Sequence, residues 1–352
     1  MRVLIIKTSS MGDVIHTLPA LTDAGKAMPG ISFDWVVEEN FSEIPRWHPL
    51  VKNVIPVALR RWRKSFFTKK TRQEWFAFRE RLQAAQYDLI IDAQGLLKSA
   101  FLACFAKGKR CGFGFHSARD PLAALFYHQR FKTAKVKEQH AVLRLRNLFS
   151  QALGYTLPAT VPDYGIDRQR FLQENNLKKY LVFLHGTTWE SKHWPEPYWI
   201  ELAKLASDQG FLIKLPWGNA AEQERALRIA ATCADAEVLP RQDLLGIAKV
   251  LAGAAAIVAV DTGLGHLAAA LDVPTVSLYG PTHPDLTGAL GASQKHLTVN
   301  FPCAPCFSRT CIFRDRKNYS LQPPCFTTLP PLVVWEALLK IYFSRPEFST
   351  KN

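Results

Sequence analysis

Short apolar segments alternate along the chain with stretches in which apolar residues recur at helical spacing. The first segment, Val3–Ile6, is followed by a predicted helix over Val14–Ala24, with Gly25 as its stop signal. Strands that alternate with helices form parallel sheets covered on both faces, so the pattern predicts an α/β protein. The predicted strands are Val3–Ile6, Phe33–Val37, Leu89–Ile91, Leu181–Leu184, Phe211–Leu215, Ile257–Val260 and Thr275–Leu278.

The predicted strands fall into two groups, separated by the interval between Ile91 and Leu181. A chain of 352 residues is long for one core and comfortable for two domains of about 150 residues each. We place these domains at residues 1–163 and 164–329. A final helix is predicted over Leu332–Phe343, within residues 330–346, and is expected to pack back on the first domain.

Composition excludes several classes of protein. With 48% hydrophobic and 21% charged residues, the chain has the composition of an ordinary globular protein. No apolar run approaches the roughly 18 residues that span a bilayer, and the first apolar segment is too short for a secretory signal. We therefore expect a cytoplasmic protein whose seven cysteines stay reduced.

The net charge of +14 is distributed unevenly. Residues 1–165 hold 25 Lys and Arg against 13 Asp and Glu, a balance of +12, and residues 166–352 hold 19 against 17, a balance of +2. A positive field on one half predicts a large anionic partner for that half, either nucleic acid or an anionic membrane or lipid headgroup.

Residues 60–72 are the most basic stretch and contain no acidic residue. A charge run is usually a solvated face, but here the cations are interleaved with Trp62, Phe66 and Phe67. Basic residues mixed with exposed aromatics favour an anionic interface, whether a bilayer surface or a phosphorylated glycolipid. The cations that we assign to this interface are Arg60, Arg61, Arg63 and Lys64, extended by Lys98 and Arg119.

A Gly-rich turn follows the predicted strand Ile257–Val260, with Asp261, Thr262 and Gly263 before a helix that contains His266. Small residues let backbone amides approach an anion, and a helix N-terminus adds the equivalent of roughly half a positive charge. The turn is therefore a candidate diphosphate site. The alternative is a tight turn in which Asp261 only caps the helix, and the pattern alone leaves both open.

A second loop, after Leu181–Leu184, carries Thr187, Thr188 and Lys192. Loops at the carboxyl ends of strands line the ligand crevice of a doubly wound sheet, so this loop and the Asp261 turn can face one ligand. Glu222 follows the next strand and is either a ribose ligand or an acidic residue that starts a helix. Lys192 is either a phosphate ligand or an ordinary surface lysine.

Asp13 lies where the strand Val3–Ile6 passes into a helix. Its plain role there is a helix cap, whereas in a ligand cleft its carboxylate could take a proton from an attacking hydroxyl. The residues alone do not decide between these roles.

Four cysteines, Cys303, Cys306, Cys311 and Cys325, share one Pro-rich segment. Four thiolates could bind zinc, but only one CxxC pair is present and the spacing departs from the regular paired ribbon. We expect no metal.

Several motifs occur in a fixed order along the chain, namely MRVLIIKTSSMGDVIHTLPALTDA, FDWVVEENFSEIP, RRWRK, DAQGLLKSA, HGTTWESKHWP and VDTGLGHLAAAL. Together they resemble the lipopolysaccharide heptosyltransferases of glycosyltransferase family 9, and the resemblance runs from Met1 to about Thr282. It implies a GT-B fold, with two Rossmann-like domains whose parallel sheets face a central cleft.

The resemblance also implies a reaction. An inverting enzyme of this type transfers L-glycero-D-manno-heptose from ADP-heptose to a Kdo residue of Kdo2-lipid A, without a metal, at the inner face of the inner membrane. Asp13 is then the general base. The implied donor-binding residues are Thr187, Thr188, Lys192, Glu222, Asp261, Thr262, Gly263 and His266, and the cations named above would bind the acceptor.

Two alternatives stay open. The Cys-rich segment is more like heptosyltransferases of the second and third types, so a later enzyme that adds to an inner-core heptose is the nearest alternative. From another class, the charge of +14 suggests a non-catalytic protein that binds nucleic acid or a membrane. No nucleic-acid-binding motif supports that second alternative.

Overall fold

The computed structural model describes residues 1–65, 67–173, 179–314 and 318–344. The chain divides into two compact units, Met1–Ile166 and Asp167–Asn352, so the division lies close to the boundary expected from the sequence. Within the described ranges, each unit contains a six-stranded sheet in which all pairings are parallel. The α/β class predicted from the sequence is confirmed.

The first unit has the strand order β3-β2-β1-β4-β5-β6. Its strands are β1 (Arg2–Ile6), β2 (Ser32–Glu38), β3 (Val51–Val57), β4 (Gln86–Asp92), β5 (Lys107–Phe113) and β6 (Gln129–Phe131). Its helices are α1 (Met11–Ile15), α2 (Leu18–Ala27), α3 (Glu43–Arg46), α4 (Leu59–Trp62), α5 (Lys69–Gln83), α6 (Leu97–Ala103) and α7 (Ala141–Leu153). Short 3₁₀ helices cover Glu39–Phe41 and Pro121–Phe126.

The second unit repeats this order, with β12-β11-β10-β7-β8-β9. Its strands are β7 (Tyr180–Leu184), β8 (Leu212–Leu215), β9 (Ala236–Val238), β10 (Ala256–Val260), β11 (Thr275–Tyr279) and β12 (Gln294–Thr298). Its helices are α8 (Glu196–Ser207), α9 (Ala220–Ala230), α10 (Leu244–Ala252), α11 (Gly263–Ala270), α12 (Pro284–Thr287) and α13 (Pro331–Phe343). The 3₁₀ helices of this unit are Arg168–Phe171, Glu190–Lys192 and Pro324–Thr328.

The central strands of both sheets are apolar because both of their faces are covered. In β1, Ile5 pairs with Trp35 on one side and Ile91 on the other, and the strand from Val3 onward is fully buried. A strand covered on both faces has no polar alternation. The same rule explains why every residue of β7, β10 and β11 is buried.

The helix predicted over Val14–Ala24 is in fact two helices, α1 and α2, separated at His16 and Thr17. Pro19 lies in the first turn of α2, where its missing N–H costs nothing, but it would break a longer helix. Gly25 does not end α2 either. It lies inside the helix, and a glycine is needed there because a Cβ at this position would collide with the side chain of Leu50.

The last helix, α13, differs from expectation in where it packs. Its contacts are with α8, β10, β11 and β12 of the second unit, rather than with the first domain as predicted. The reason is its apolar face: Trp335 and Tyr342 pack edge-on against the ring of Phe211 within the second unit's core. The backbone before the helix is also held there, since the Trp194 indole donates to the carbonyl of Leu329 at 3.0 Å.

A buried ion pair joins α2 to α7 in the first unit. The Arg146 guanidinium donates to both carboxylate oxygens of Asp23, at 2.5 and 3.2 Å, and both side chains are almost completely buried. Arg146 also donates to the carbonyls of Thr160 and Pro158, at 3.0 and 3.1 Å. One guanidinium therefore fastens the two helices and the end of the first unit together.

Among the described helices, none combines the length and the apolar character that crossing a bilayer requires.

The Arg146–Asp23 pair predicts a large effect on stability. Asp23→Ala leaves a guanidinium buried without its counter-ion, which typically costs about 3–5 kcal/mol. We expect this loss in the free energy of unfolding of the first unit, measured by urea denaturation. Glu43→Ala, which removes an exposed pair with Arg46, is the control and should cost less than about 1 kcal/mol. Similar losses in the two variants would contradict the role assigned to the buried pair.

Candidate functional site

The strand order reverses at one point in each sheet, between β1 and β4 in the first unit and between β7 and β10 in the second. In open parallel sheets, ligands bind outside the carboxyl ends of the strands at this point. Asp13 follows β1, the Thr187 and Lys192 loop follows β7, and the Asp261 turn follows β10. Asp13, the Thr187 and Lys192 loop and the Asp261 turn therefore lie at the two switch points, whereas Glu222 follows β8 and residues 60–64 follow β3.

Asp261 is the centre of a polar cluster in the second unit. The Lys192 ammonium lies 2.7 Å from Oδ2 of Asp261, and the Thr282 hydroxyl donates to the same oxygen at 2.6 Å. Nε2 of His266 lies 3.9 Å from Oδ1, and the Thr187 hydroxyl donates to the carbonyl of Asp261 at 3.0 Å. The two loops that the sequence analysis treated separately are one cluster.

The side chain of Asp261 does not cap the helix. Thr262 occupies the N-cap position of α11, and the Asp261 carboxylate is bonded to Lys192 and Thr282 instead. Burial raises the pKa of this carboxyl, but Lys192 and His266, with the two hydrogen bonds, outweigh burial and lower it. Asp261 is therefore ionised at neutral pH and holds the Lys192 ammonium in place.

The remaining donor-site candidates lie on the segments that follow β7, β8 and β10. Gly263 is the first residue of α11, so its backbone N–H belongs to the N-terminus of that helix. Glu222 accepts from the backbone N–H of Gly218 at 2.8 Å and lies against Gly186, where an added Cβ would strike its carboxyl group. Thr188 is exposed on the β7 loop. Glu222 occupies the first turn of α9, so the helix-start role is also realised.

The Cys-rich segment braces the short helix that carries Lys192. The Ser191 hydroxyl donates to the carbonyl of Ser308 at 2.5 Å, and its N–H donates to the carbonyl of Arg309 at 3.1 Å. Arg314 pairs with Glu190 at 3.0 Å. The segment thus fixes the two residues directly before Lys192, whose ammonium also lies 4.5 Å from the ring centroid of Trp189.

The four cysteines of this segment line one cavity of about 20 Å³, and none forms a disulfide. Burial and the neighbouring thiols raise the pKa of Cys325 to about 12, so this thiol is protonated at neutral pH. Across residues 1–65, 67–173, 179–314 and 318–344, no group of three or more His, Cys, Asp or Glu side chains is arranged to hold a metal ion. The expectation that no metal binds stays a prediction.

Asp13 lies in the first turn of α1, where Ser10 holds one of its oxygens. The backbone N–H and the hydroxyl of Ser10 both donate to Oδ2, at 2.9 and 2.8 Å. The second oxygen, Oδ1, lies 3.7 Å from the Lys7 ammonium. The helix-start role considered for Asp13 is therefore realised, and the carboxylate keeps one oxygen that no described hydrogen bond occupies.

Two cations set the protonation state of Asp13. Burial raises the pKa of the carboxyl, but Lys7, Arg119 and the Ser10 hydrogen bonds together lower it well below its usual range. Burial lowers the pKa of Lys7, which Asp13 partly offsets. Asp13 is thus ionised at neutral pH, which is the form that a general base requires.

The backbone beside Asp13 is held by the side chain of Gln94, which follows β4. Its carbonyl oxygen accepts from the N–H groups of Thr8 and Ser9, at 3.1 and 3.3 Å. Its amide donates to the carbonyl of Ser9 at 2.7 Å, and Lys7 donates to the carbonyl of Ala93 at 3.0 Å. The loops after β1 and β4 are consequently bonded to each other.

The acceptor-site cations are not equivalent. Arg61 pairs with two carboxylates, Glu39 at 3.0 Å and Glu74 at 2.8 Å, so its charge is already compensated. Arg60 lies over the ring of Phe41. In contrast, Arg63 and Lys64 are exposed, and within the described ranges neither is paired with a carboxylate. Lys98 and Arg119 are exposed as well.

The aromatic residues of the basic stretch do not form the exposed surface that the sequence suggested. Trp62 is buried, its indole donates to Glu74 at 2.6 Å, and it packs edge-on against Trp75 and Phe78. The expectation was wrong for Trp62 because this side chain completes the core beneath α5. Phe67 is highly exposed, and Phe66 lies outside the described residues.

Sequence reasoning missed four residues of these clusters: Lys7, Gln94, Trp189 and Thr282. Each lies in a loop after a strand or directly before a residue already selected. The available signal was position: Gln94 follows β4 as Asp13 follows β1, and Thr282 follows β11. Pairing those loops required the strand order.

Comparisons with known proteins agree on one family. The family model for glycosyltransferase family 9 (heptosyltransferase) matches residues 75–317. The chain is 59% identical to lipopolysaccharide heptosyltransferase 1 of Pseudomonas aeruginosa, over 94% of this chain and 95% of that protein. It is 56% identical to lipopolysaccharide heptosyltransferase 1 of Escherichia coli K12, over 84% of this chain and 92% of that protein.

Solved structures give the same result. The fold is similar to that of E. coli heptosyltransferase WaaC with ADP, with a TM-score of 0.86 and 49% identity over 97% of this chain and 100% of that chain. It is also similar to E. coli heptosyltransferase WaaC with ADP-2-deoxy-2-fluoro heptose, with a TM-score of 0.82, 49% identity and coverage of 97% and 99%.

The Lys192–Asp261 pair predicts a pH-dependent loss of stability. The folded-state pKa of Asp261 is lowered, so its contribution is present above the unfolded-state pKa of about 3.9 and is lost as pH falls. In Lys192→Met, the ammonium that counteracts the effect of burial on Asp261 is gone, so the folded-state pKa of Asp261 rises. We expect the gap in melting temperature between wild type and variant to be small near about pH 4 and to widen toward about pH 7.

The matched control for this experiment is Lys204→Met, which removes an exposed ammonium from α8. Its melting temperature should follow that of the wild type at every pH. A gap for Lys192→Met that stays constant with pH would contradict the electrostatic coupling to Asp261.

Proposed function

The chain belongs to glycosyltransferase family 9, the heptosyltransferases, and from this premise we propose that it transfers L-glycero-D-manno-heptose from ADP-heptose to a Kdo residue of Kdo2-lipid A. The observation that carries this proposal furthest is the pair of ionised carboxylates at the switch points, each held by a lysine: Asp13 with Lys7, and Asp261 with Lys192. The first is suited to proton transfer and the second to organising an anion site.

We assign the donor to the second unit. Two similar solved structures are described with ADP and with a fluorinated ADP-heptose, which supports an adenine nucleotide sugar as the ligand. Lys192 and the N-terminus of α11 supply positive charge for the diphosphate, and the hydroxyls of Thr187, Thr188 and Thr262 are suited to its oxygens. Glu222 is assigned to hydroxyl groups of the donor, while Asp261 orients Lys192.

The reaction is a single displacement with inversion. A Kdo hydroxyl attacks the anomeric carbon of the heptose, its proton passes to Asp13, and the bond from that carbon to the diphosphate oxygen breaks. The negative charge that develops on ADP is stabilised by Lys192 and by the α11 N-terminus, which are fixed before the reaction. This charge stabilisation requires no metal.

Binding of the acceptor changes the pKa of the proposed base, Asp13. Asp13 is a weak proton acceptor while Lys7 and Arg119 lower its pKa. A Kdo carboxylate bound to Arg119 would offset part of this positive field and raise the pKa of Asp13 toward its ordinary value. Proton transfer then becomes easier only when the acceptor is bound, which suits catalysis better than a permanently basic group.

The first unit is assigned to the acceptor because it contains many more cationic than acidic residues. Arg60, Arg63 and Lys64, with Lys98 and Arg119, would bind Kdo carboxylates and lipid A phosphates, and Arg61 would do so only by exchanging its partners Glu39 and Glu74. Since such an acceptor is anchored in a bilayer, we place the enzyme on the inner face of the inner membrane.

One experiment separates the possible functions. Purified protein is given ADP-heptose with either Kdo2-lipid A or an acceptor that already carries a heptose, and ADP release is followed. We expect turnover with Kdo2-lipid A. Turnover only with the heptosylated acceptor would indicate a later heptosyltransferase, and no ADP release with either would favour a non-catalytic binding protein.

The general-base assignment predicts a catalytic defect without a binding defect. Asp13→Asn keeps the shape of the side chain but cannot accept the proton, so ADP release should fall about 100- to 10,000-fold. Affinity for ADP-heptose, measured by calorimetric titration, should stay close to that of the wild type. Asp163→Asn, at a half-exposed carboxylate of the same unit, should retain full activity. Unchanged turnover in Asp13→Asn would remove Asp13 as the base.

The acceptor assignment predicts a selective change in KM. Reversing two unpaired charges, with Arg63→Glu and Lys64→Glu together, should raise KM for Kdo2-lipid A by roughly tenfold or more and leave KM for ADP-heptose unchanged. Arg61→Gln should have a smaller effect because Arg61 is already paired. The control, Lys204→Glu with Arg241→Glu, reverses two exposed charges of the second unit. Equal changes in both KM values would argue against an acceptor role.

A further inference from the structure

Two short helices of the first unit present apolar side chains to solvent. On α6, Leu97 is 39% exposed and Phe101 is 51% exposed. On the 3₁₀ helix Pro121–Phe126, Leu122 is 55% exposed and Leu125 is 61% exposed. We call these four side chains the apolar ridge. Exposed apolar side chains are normal when they are scattered, but a contiguous group calls for an explanation.

The two helices that carry these side chains pack against each other through small residues. Ala100 of α6 is fully buried with Ala123 and Ala124 of the 3₁₀ helix, in one cluster with Tyr127. Methyl side chains at this contact let the two backbones approach closely. The N–H of Leu97 also lies 3.4 Å from the carboxylate of Asp120, which precedes the 3₁₀ helix.

Each pair of the ridge lies on one face of its helix. Leu97 and Phe101 are four residues apart, which places them on the same side of an α-helix. Leu122 and Leu125 are three residues apart, which aligns them in a 3₁₀ helix. The small residues between them, Ala100 and Ala123, point into the protein, so burial of the alanines leaves the larger side chains outside.

The part of the chain that forms the ridge is rich in cations and almost free of acids. Residues 93–131 contain six cations, Lys98, Lys107, Lys109, Arg110, Arg119 and Arg130, and Asp120 is the one acidic residue. Arg110 and Arg130 donate to the carbonyls of Phe126 and Ala124, at 2.9 and 2.6 Å, and so are fixed at the end of the 3₁₀ helix. In the described part of the chain, none of the six forms an ion pair with a carboxylate.

We propose that the apolar ridge, Leu97, Phe101, Leu122 and Leu125, enters the surface of an anionic phospholipid bilayer, with cations of residues 93–131 on the lipid headgroups. This inference rests on the proposed function in one respect, namely that the acceptor is anchored in a membrane. It deepens that function because it identifies the surface that meets the membrane.

The chemistry favours a bilayer over another protein. Interfacial binding combines buried apolar side chains with attraction between cations and anionic lipids, and the ridge and the six cations of residues 93–131 supply both. A protein partner would need acidic groups matched to six separate cations, whereas a sheet of lipid phosphates offers negative charge at every position. The basic stretch at residues 60–72 adds to the same field, but its Trp62 is buried and cannot insert.

The test is sedimentation with vesicles that contain no acceptor and no donor. Vesicles of phosphatidylcholine mixed with phosphatidylglycerol are compared with vesicles of phosphatidylcholine alone, and the whole chain is used. Leu122→Ser with Leu125→Ser should weaken binding to the anionic vesicles by about tenfold or more. The reason is that each substitution removes the free energy gained by burying a leucine side chain in the apolar phase of the bilayer. Wild type should bind the neutral vesicles much more weakly.

The matched control is Leu227→Ser with Leu332→Ser, which removes two leucines of similar exposure, 53% and 55%, from the second unit. This variant should bind vesicles as the wild type does. Both double variants should keep the wild-type melting temperature and full turnover on a water-soluble Kdo acceptor without acyl chains, since none of the four leucines belongs to the assigned site.

Several outcomes would overturn the proposal. They are wild-type vesicle binding by the Leu122→Ser/Leu125→Ser variant, an equal loss in the control variant, or equal binding of the wild type to neutral and anionic vesicles. A wild-type dimer that the ridge variant dissociates would assign the ridge to a second copy of the chain. The result is independent of the proposed reaction, because absence of turnover on every acceptor would refute the reaction while vesicle binding still reports on the ridge.

Discussion

The reversal of strand order in a parallel sheet is the constraint on which the candidate site depends. Connections that leave neighbouring strands β1 and β4, or β7 and β10, run in opposite directions, so the loops between them are not covered by a helix. Buried apolar strands therefore end in loops that can carry polar groups without burying them unpaired. Asp13 lies in the first helical turn after β1, Lys192 in the short 3₁₀ helix after β7, and Asp261 directly after β10, so both units place charged groups at this point.

A carboxylate placed at the end of a buried strand also requires partners for its charge. A carboxylate that is partly or almost wholly withdrawn from water must be ionised beside a cation and hydrogen-bond donors, or it takes up a proton. Asp261 meets this condition with Lys192 and Thr282, and Asp13 meets it with Lys7 and Ser10. The lysines are thus required by the carboxylates before any ligand is considered. The consequence for chemistry is that both charges are fixed in position, which is what a preorganised site needs.

The sequence could predict the central strands, but not the edges of the sheets. β1, β7 and β10 are apolar throughout because both of their faces are buried, whereas β5 carries Lys107, Lys109 and Arg110, and β12 is mostly polar. Edge and charged strands lack the pattern that identifies a strand. The candidate site shows the same division. Residues chosen after central strands lie where the pattern predicts, directly after β1, β7 and β10, while Gln94 and Thr282 act through contacts across strands, which only the strand order reveals. Trp62 was misjudged because burial depends on α5, which packs over it.

The uneven charge of the chain has a physical consequence that links the site to its surroundings. Like charges that stay unpaired repel one another, and this repulsion is tolerated only where exposure to water keeps it small or where an anion relieves it. In the second unit, Lys192 is balanced by Asp261. In the first unit Arg63, Lys64 and Lys98 are exposed, and no carboxylate in the described part of the chain is paired with them. Binding a polyanion therefore stabilises the first unit electrostatically. A polyanion that is anchored in lipid also brings an apolar phase in which the exposed side chains of the ridge can be buried. Charge and apolar exposure on this unit thus favour the same kind of partner.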